Sequence, residues 1–255
     1  MRERSGGVPQ PWTIEKKPDK NTITLRFTVN SDIDYEGAEL ALEDADKAKI
    51  TFNGESVKND ILGNFVDIEI FRVKLPKINK GVNTLEITIP FGPRTNTENV
   101  FILGDFGVEC KGRNAKIIEK PEKIMFGSLL NQGFPFYGGN VTYKFKAETA
   151  TGDLYICASD YRGATMSAKI DGKDAGKIIY PPYIVSEKGL SKGEHDVELK
   201  LFTHRYNTFG PLHLVNTRES WHGPGAWRST GMNWSYEYVL REAGILATPR
   251  ISDGE

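Results

Sequence analysis

The sequence predicts an all-β protein built as two tandem antiparallel β-sandwiches. Three observations predict it: a turn-and-strand grammar that occurs twice, short apolar runs that alternate with period two, and turns rich in Gly, Asn, Asp and Pro between them. The first copy reads Ile50-Thr51-Phe52-Asn53-Gly54-Glu55, followed by Lys80-Gly81-Val82-Asn83-Thr84-Leu85-Glu86-Ile87-Thr88-Ile89. The second reads Ser167-Ala168-Lys169-Ile170-Asp171-Gly172-Lys173, followed by Lys192-Gly193-Glu194-His195-Asp196-Val197-Glu198-Leu199-Lys200-Leu201. Each is a strand ending in an Asn-Gly or Asp-Gly hairpin turn, then a Lys-Gly turn that enters a second alternating strand. Asn53 and Asp171 lie 118 positions apart and Gly81 and Gly193 lie 112 apart, so the copies differ by a gap of six. A period this long marks whole domains in tandem rather than a stack of small repeats.

Taken in order, the alternation of residues 22–30 predicts the first long strand of one sandwich, and residues 141–146 predict its counterpart. Further strands are expected at 48–52, 67–73, 84–89, 100–103, 154–158, 166–170, 196–202 and 234–240. Residues 36–49 hold many helix formers, yet Glu39-Leu40-Ala41-Leu42-Glu43 alternates, and Leu154-Tyr155-Ile156-Cys157-Ala158 stands at the matching place. A strand is expected there. The apolar pattern fades between Arg113 and Ile124, which places one domain at 1–118 and the other at 119–255, with an aromatic-rich C-terminal tail from Trp221 to Tyr238.

The chain has 255 residues, 38% of them hydrophobic, enough for two cores of ordinary size. Lys and Arg number 33 against 34 Asp and Glu, so no basic excess points to nucleic acid. No run approaches the roughly 18 apolar residues of a membrane span, and the polar N-terminus has no apolar leader core. A soluble chain with no membrane partner is expected. A polar, Gly- and Pro-bearing start also suits a fragment of a longer protein, which leaves a secreted or periplasmic setting open. Cys110 and Cys157 fall in different halves without metal or redox spacing, so two unpaired thiols are expected.

At Leu40-Ala41-Leu42-Glu43, Phe52-Asn53-Gly54, Gly81-Val82-Asn83-Thr84-Leu85 and Leu103-Gly104-Asp105-Phe106-Gly107-Val108, the first half resembles the jelly-roll, galactose-binding-like domains appended to large bacterial glycoside hydrolases. The second half adds Gly133-Phe134-Pro135-Phe136-Tyr137-Gly138-Gly139-Asn140 and Arg205-Tyr206-Asn207-Thr208-Phe209-Gly210-Pro211-Leu212-His213, which are similar to segments near the C-terminal ends of such glycosidases. In that family the hydrolytic carboxylates sit on a separate catalytic domain, commonly a barrel of about 250 residues. Nothing here alternates strands and helices at that length. The resemblance therefore implies an accessory region whose partners are a carbohydrate, a glycosidase catalytic domain or both, and it carries no catalytic residue onto this chain.

Glycoside hydrolysis needs two carboxylates about 5 to 9.5 Å apart. Glu98 with Asp105, or Asp160 with Glu219, would be pairs for a small glycan-active enzyme, but spacing cannot place them and solvated or turn carboxylates are the preferred reading. His195, His204, His213 and His222 recur every nine residues, a spacing that matches neither a helical nor a strand metal motif. No cofactor is expected. The resemblance leaves room for a structural Ca²⁺ held by loop oxygens. The candidate carbohydrate site joins the tail aromatics Trp221, Trp227 and Trp234 with Tyr137, Tyr161, Arg162, His204, Arg205 and His222. Aromatic faces stack on pyranose rings while Arg and His reach hydroxyls. The competing reading is that the tryptophans lock the tail in place or pack on a neighbouring domain.

Overall fold

The computed structural model describes residues 20–92, 95, 97, 99–215, 223–227 and 229–253. The chain is an all-β protein of antiparallel sandwiches, and among the described residues helix is limited to single turns. It divides into two compact units. The described residues of the first fall within Met1–Gly107, Asn114–Lys120 and Leu214–Trp234, and those of the second within Val108–Arg113, Pro121–His213 and Ser235–Glu255.

The first unit contains β1 (Asn21–Ser31), β2 (Glu39–Glu43), β3 (Lys49–Phe52), β4 (Glu55–Val57), β5 (Ile61–Phe65), β6 (Asp67–Lys74), β7 (Gly81–Phe91) and β8 (Phe101–Leu103). After β9 (Gly107–Lys111) comes β10 (Asn114–Ile118). One sheet runs β4-β3-β7-β1-β10, and a second runs β5-β6-β2-β8. Strands β1 and β10 pair in parallel, through Asn30 with Lys116 and Ser31 with Ile117. Period-two alternation along β7 turns Leu85, Ile87 and Ile89 inward, where they meet Ile50 and Phe52 of β3 and Leu40, Leu42 and Val73 of the facing sheet.

The second unit contains β11 (Asn140–Thr149), β12 (Leu154–Cys157), β13 (Tyr161–Arg162), β14 (Thr165–Ile170), β15 (Lys173–Ile178), β16 (Ile184–Glu187), β17 (Gly193–Phe202), β18 (Gly244–Ile245) and β19 (Arg250–Ser252). Its larger sheet runs β15-β14-β17-β11, and the facing one β16-β12-β19. These orders repeat β4-β3-β7-β1 and β6-β2-β8 of the first unit. The core repeats as well: Val197, Leu199 and Leu201 occupy the positions of Leu85, Ile87 and Ile89, packed with Ile170, Leu154 and Ile156.

The two hairpin turns obey the same stereochemistry. Asn53 and Gly54 take φ of 52° and 84°, and Asp171 and Gly172 take 48° and 77°, the pair of positive angles a type I′ turn requires. Residues 39–43 are the strand β2 as expected, because pairing with both β6 and β8 rewards the extended form over helix propensity. The stretch where the apolar pattern fades holds β10, whose parallel pairing with β1 leaves no alternation to read.

Two expectations differ from the structure. Residues 234–240 form no strand beyond an isolated bridge between Leu214 and Trp234. Their backbone is bound by loops and side chains instead: Tyr238 N–H donates to Gly112 O at 2.9 Å and Val239 N–H to Leu212 O at 2.6 Å. The aromatic segment is also no appendage after the second repeat. It is an excursion between β17 and β19, in the place of the short β7 to β8 connection of the first repeat, and β19 then completes the sheet beside β12.

Candidate functional site

The registers of the second unit gather four loops at one end of its larger sheet. Phe202, the last residue of β17, faces both Asn140 at the start of β11 and Thr165 at the start of β14. Met166 faces Ile178 at the end of β15. The segments 133–139, 160–164, 179–183 and 203–211 therefore leave from the same end.

This placement brings together five of the residues singled out in the sequence. Tyr137 precedes β11, Tyr161 and Arg162 form β13, and His204 and Arg205 follow β17. Gly138 joins the outer two: a Cβ there would lie 2.5 Å from Thr208 Oγ1 and 3.4 Å from Arg205 Cγ, so only glycine lets the Tyr137 segment lie against the 203–211 loop. Thr208 Oγ1 donates to Phe136 O at 2.9 Å and fixes that approach. The Tyr137 ring is 44% exposed, with its hydroxyl donating to Asn140 O at 3.2 Å. Tyr161 is half-buried, edge-on to Tyr183 with centroids 6.1 Å apart, and burial pushes its phenol pKa up.

The loop after β15 adds Tyr180, 71% exposed, and Tyr183, whose φ is +60°. Sequence reasoning missed both. Their signal was the aromatic-proline run Tyr180-Pro181-Pro182-Tyr183 at the end of a strand that itself escaped notice.

Charge on this rim is mostly guanidinium. Arg162 reaches Asp160 at 3.2 Å, both side chains exposed. Arg241 stacks over the Tyr206 ring at 3.7 Å. The Arg205 side chain is exposed and, among the described residues, makes no hydrogen bond or ion pair.

The histidines do structural work instead. His204 Nε2 donates to Glu242 O at 2.8 Å while its Nδ1 accepts from Tyr206 N–H at 3.3 Å. His213 Nδ1 donates to Ser235 O at 2.9 Å. Asn207, which the sequence reading passed over, is buried, donates to Arg241 O at 2.7 Å and accepts from Arg241 N–H at 2.9 Å. These side chains supply the partners that a neighbouring strand would give to the returning chain.

Two further candidates belong to the first unit. Trp227 lies at the end of a 3₁₀ turn, Pro224–Trp227, and Trp234 is half-buried at its bridge to Leu214, both within the first unit. Trp221 and His222 lie outside the described residues, as do Glu98 and Glu219, one member of each carboxylate pair. Asp105 is paired with Lys120 and Asp160 with Arg162. Among the described residues no group of three or more His, Cys, Asp or Glu side chains is placed to hold a metal ion. Cys110 and Cys157 are free thiols. No described helix is long and apolar enough to cross a membrane.

No protein-family model matches the sequence, and no curated protein matches it. Among solved structures it is similar to a rhamnosidase from Novosphingobium sp. PP1Y, at 12% identity and a TM-score of 0.35, over 89% of this chain and 22% of that one. It is also similar to a lectin from Pleurotus ostreatus in its apo form, at 10% identity and a TM-score of 0.21, over 71% of this chain and 68% of that one.

Proposed function

We propose that this chain is a non-catalytic, carbohydrate-binding pair of β-sandwiches, an accessory region of a glycoside hydrolase, with its sugar site on the loop end of the second unit. The observation that carries the reading is that the loop bearing the exposed Tyr137 lies against the loop bearing the exposed Arg205 at Gly138, where a Cβ would meet Thr208 Oγ1 and the Arg205 stem. An aromatic face and a polar fork on a rigid rim are what a shallow sugar site requires. Tyr161 and Arg162 flank that pair on the same sheet end. Calorimetric titration of a panel of mono- and oligosaccharides tests the reading, with Tyr137→Ala expected to weaken binding about tenfold through lost stacking. Failure of every saccharide to bind would remove the recognition role.

One observation favours a second reading, in which the pair packs on a catalytic domain and binds no sugar. Along β5, β6 and their turn, Ile61, Leu62, Val66 and Ile68 are 43%, 48%, 56% and 76% exposed. Contiguous exposed apolar side chains mark partner surfaces. Saturable binding of a sugar by the wild-type chain, lost in Tyr137→Ala, decides for the first reading.

A further inference from the structure

Resting on the carbohydrate reading, we infer that the second unit's loop end selects anionic saccharides, those bearing a uronate carboxylate or a sulfate ester, with Arg205 as the charge-reading group and Tyr137 and Tyr180 as the flanking platforms. The charge inventory of the four loops, with the 241–246 segment that runs beside β13, points this way. It holds three guanidinium groups, Arg162, Arg205 and Arg241, against two carboxylates, Asp160 and Glu242.

Two of the three cations are already engaged. Arg162 is neutralised by Asp160, and Arg241 lies flat on Tyr206. Arg205 alone of the three has neither an ion pair nor a ring beneath it among the described residues, and Glu242, though exposed, does not pair with it. The stem of Arg205 passes Gly138, with Cγ 3.4 Å from where a Cβ would stand, so the side chain leaves the backbone beside the Tyr137 segment.

A guanidinium offers parallel N–H donors at the spacing of carboxylate or sulfate oxygens, and such charge-assisted bonds are about twice as strong as neutral ones. A neutral hydroxyl accepts one of those donors and leaves the others to water. The exposed rings of Tyr137 and Tyr180, 44% and 71% accessible, lie at opposite margins of the β11-β17-β14-β15 sheet end, with the arginines between. That order suits a chain of several sugar units rather than a monosaccharide.

The test is calorimetry on the full chain with three matched oligosaccharides: an oligogalacturonate, its neutral galactose counterpart and a sulfated galactose oligomer, each at low and high salt. Preference of about tenfold or more for a charged ligand, reduced by salt and abolished in Arg205→Gln, supports the inference, and the two charged arms identify which anion is read. Arg205→Gln breaks no internal hydrogen bond, so an unchanged melting curve confirms that loss of binding is not loss of fold. Equal or stronger binding of the neutral oligomer overturns the inference while leaving carbohydrate recognition standing. Silence from all three overturns the inference, and the broader saccharide panel then decides whether carbohydrate recognition stands.

Discussion

His195 Nδ1 lies 2.7 Å from Asp171 Oδ2, at the position in the second unit where Asn53 Nδ2 lies 2.8 Å from Asn83 Oδ1 in the first. The equivalence extends to the next contact. Asn83 Nδ2 donates to Asn79 O at 2.7 Å, and His195 Nε2 stands 2.8 Å from Ser191 O, four residues back in each copy. Both side chains occupy an inward-facing position of β7 or β17, nearly inaccessible to solvent, and each ties its Asx-Gly turn to the strand beside it. The two units share the clamp but not its chemistry: neutral amides hold it in the first and an ionisable pair in the second.

That change predicts a pH dependence confined to the second unit. Both ring nitrogens of His195 face acceptors, so only the imidazolium donates to both. The Asp171 carboxylate, and after it the Ser191 carbonyl, raise the His195 pKa above its ordinary value. His195, and after it the Asp196 N–H, hold Asp171 below the usual carboxylate range. The histidine contribution is thus complete below about pH 6.5 and fades as pH rises through the raised value. The aspartate contribution is present above about pH 4 and fades as pH falls through the lowered one. A proton NMR titration should place the His195 midpoint above that of an exposed histidine, and His195→Asn should flatten the alkaline limb of the thermal stability profile. A midpoint at or below the ordinary value would contradict the clamp.

Gly172→Ala should destabilise the protein by about 1 kcal/mol, because φ of +77° is costly for any residue with a Cβ although the space around it is open. Gly172→Asn should cost less, since asparagine tolerates the left-handed region. Chemical denaturation separates the two. Equal losses would mean that something other than backbone strain sets the turn.

Asn207→Ala removes both side-chain bonds to Arg241 and orphans a buried N–H and C=O, at a cost of about 1 to 3 kcal/mol. Its local signature is release of the returning chain. Limited proteolysis should find new cleavage within residues 235–243, with the β11-β17 core still resistant.

Leu199→Ala, at a fully buried site between both sheets of the second unit, should cost about 2 to 5 kcal/mol, as lost burial and an unfilled cavity add. Thr88→Ala on the outer face of β7 loses only its cross-strand bond to the Thr24 hydroxyl and should cost about 0.5 to 1.5 kcal/mol. Denaturant midpoints would expose a sandwich packed differently if those two effects came out alike.

What was legible in the sequence was whatever is enforced locally. Asn53-Gly54 and Asp171-Gly172 announce hairpins because few other residue pairs accept two positive φ angles, and the alternation of β7 and β17 announces a sheet with one dry face. Strands β10, β15 and β16 were not legible: two carry little apolar alternation, and β10 owes its form to a parallel neighbour more than eighty residues away. Residues 234–240 misled for the opposite reason, since alternating aromatics imitate a strand while Gly112, Leu212 and His213 supply the backbone partners. The candidate site was half legible. Tyr137 and Arg205 stood out as motif residues, but their adjacency depends on the register of Asn140 with Phe202, a tertiary fact. Tyr180 was invisible until the end of β15 was placed.

The most direct measurement is a crystal structure of the full chain with the tightest-binding oligosaccharide. The account predicts a sugar ring against Tyr137 with an oxygen of the ligand on the Arg205 guanidinium. Sugar bound elsewhere with that rim empty would contradict it.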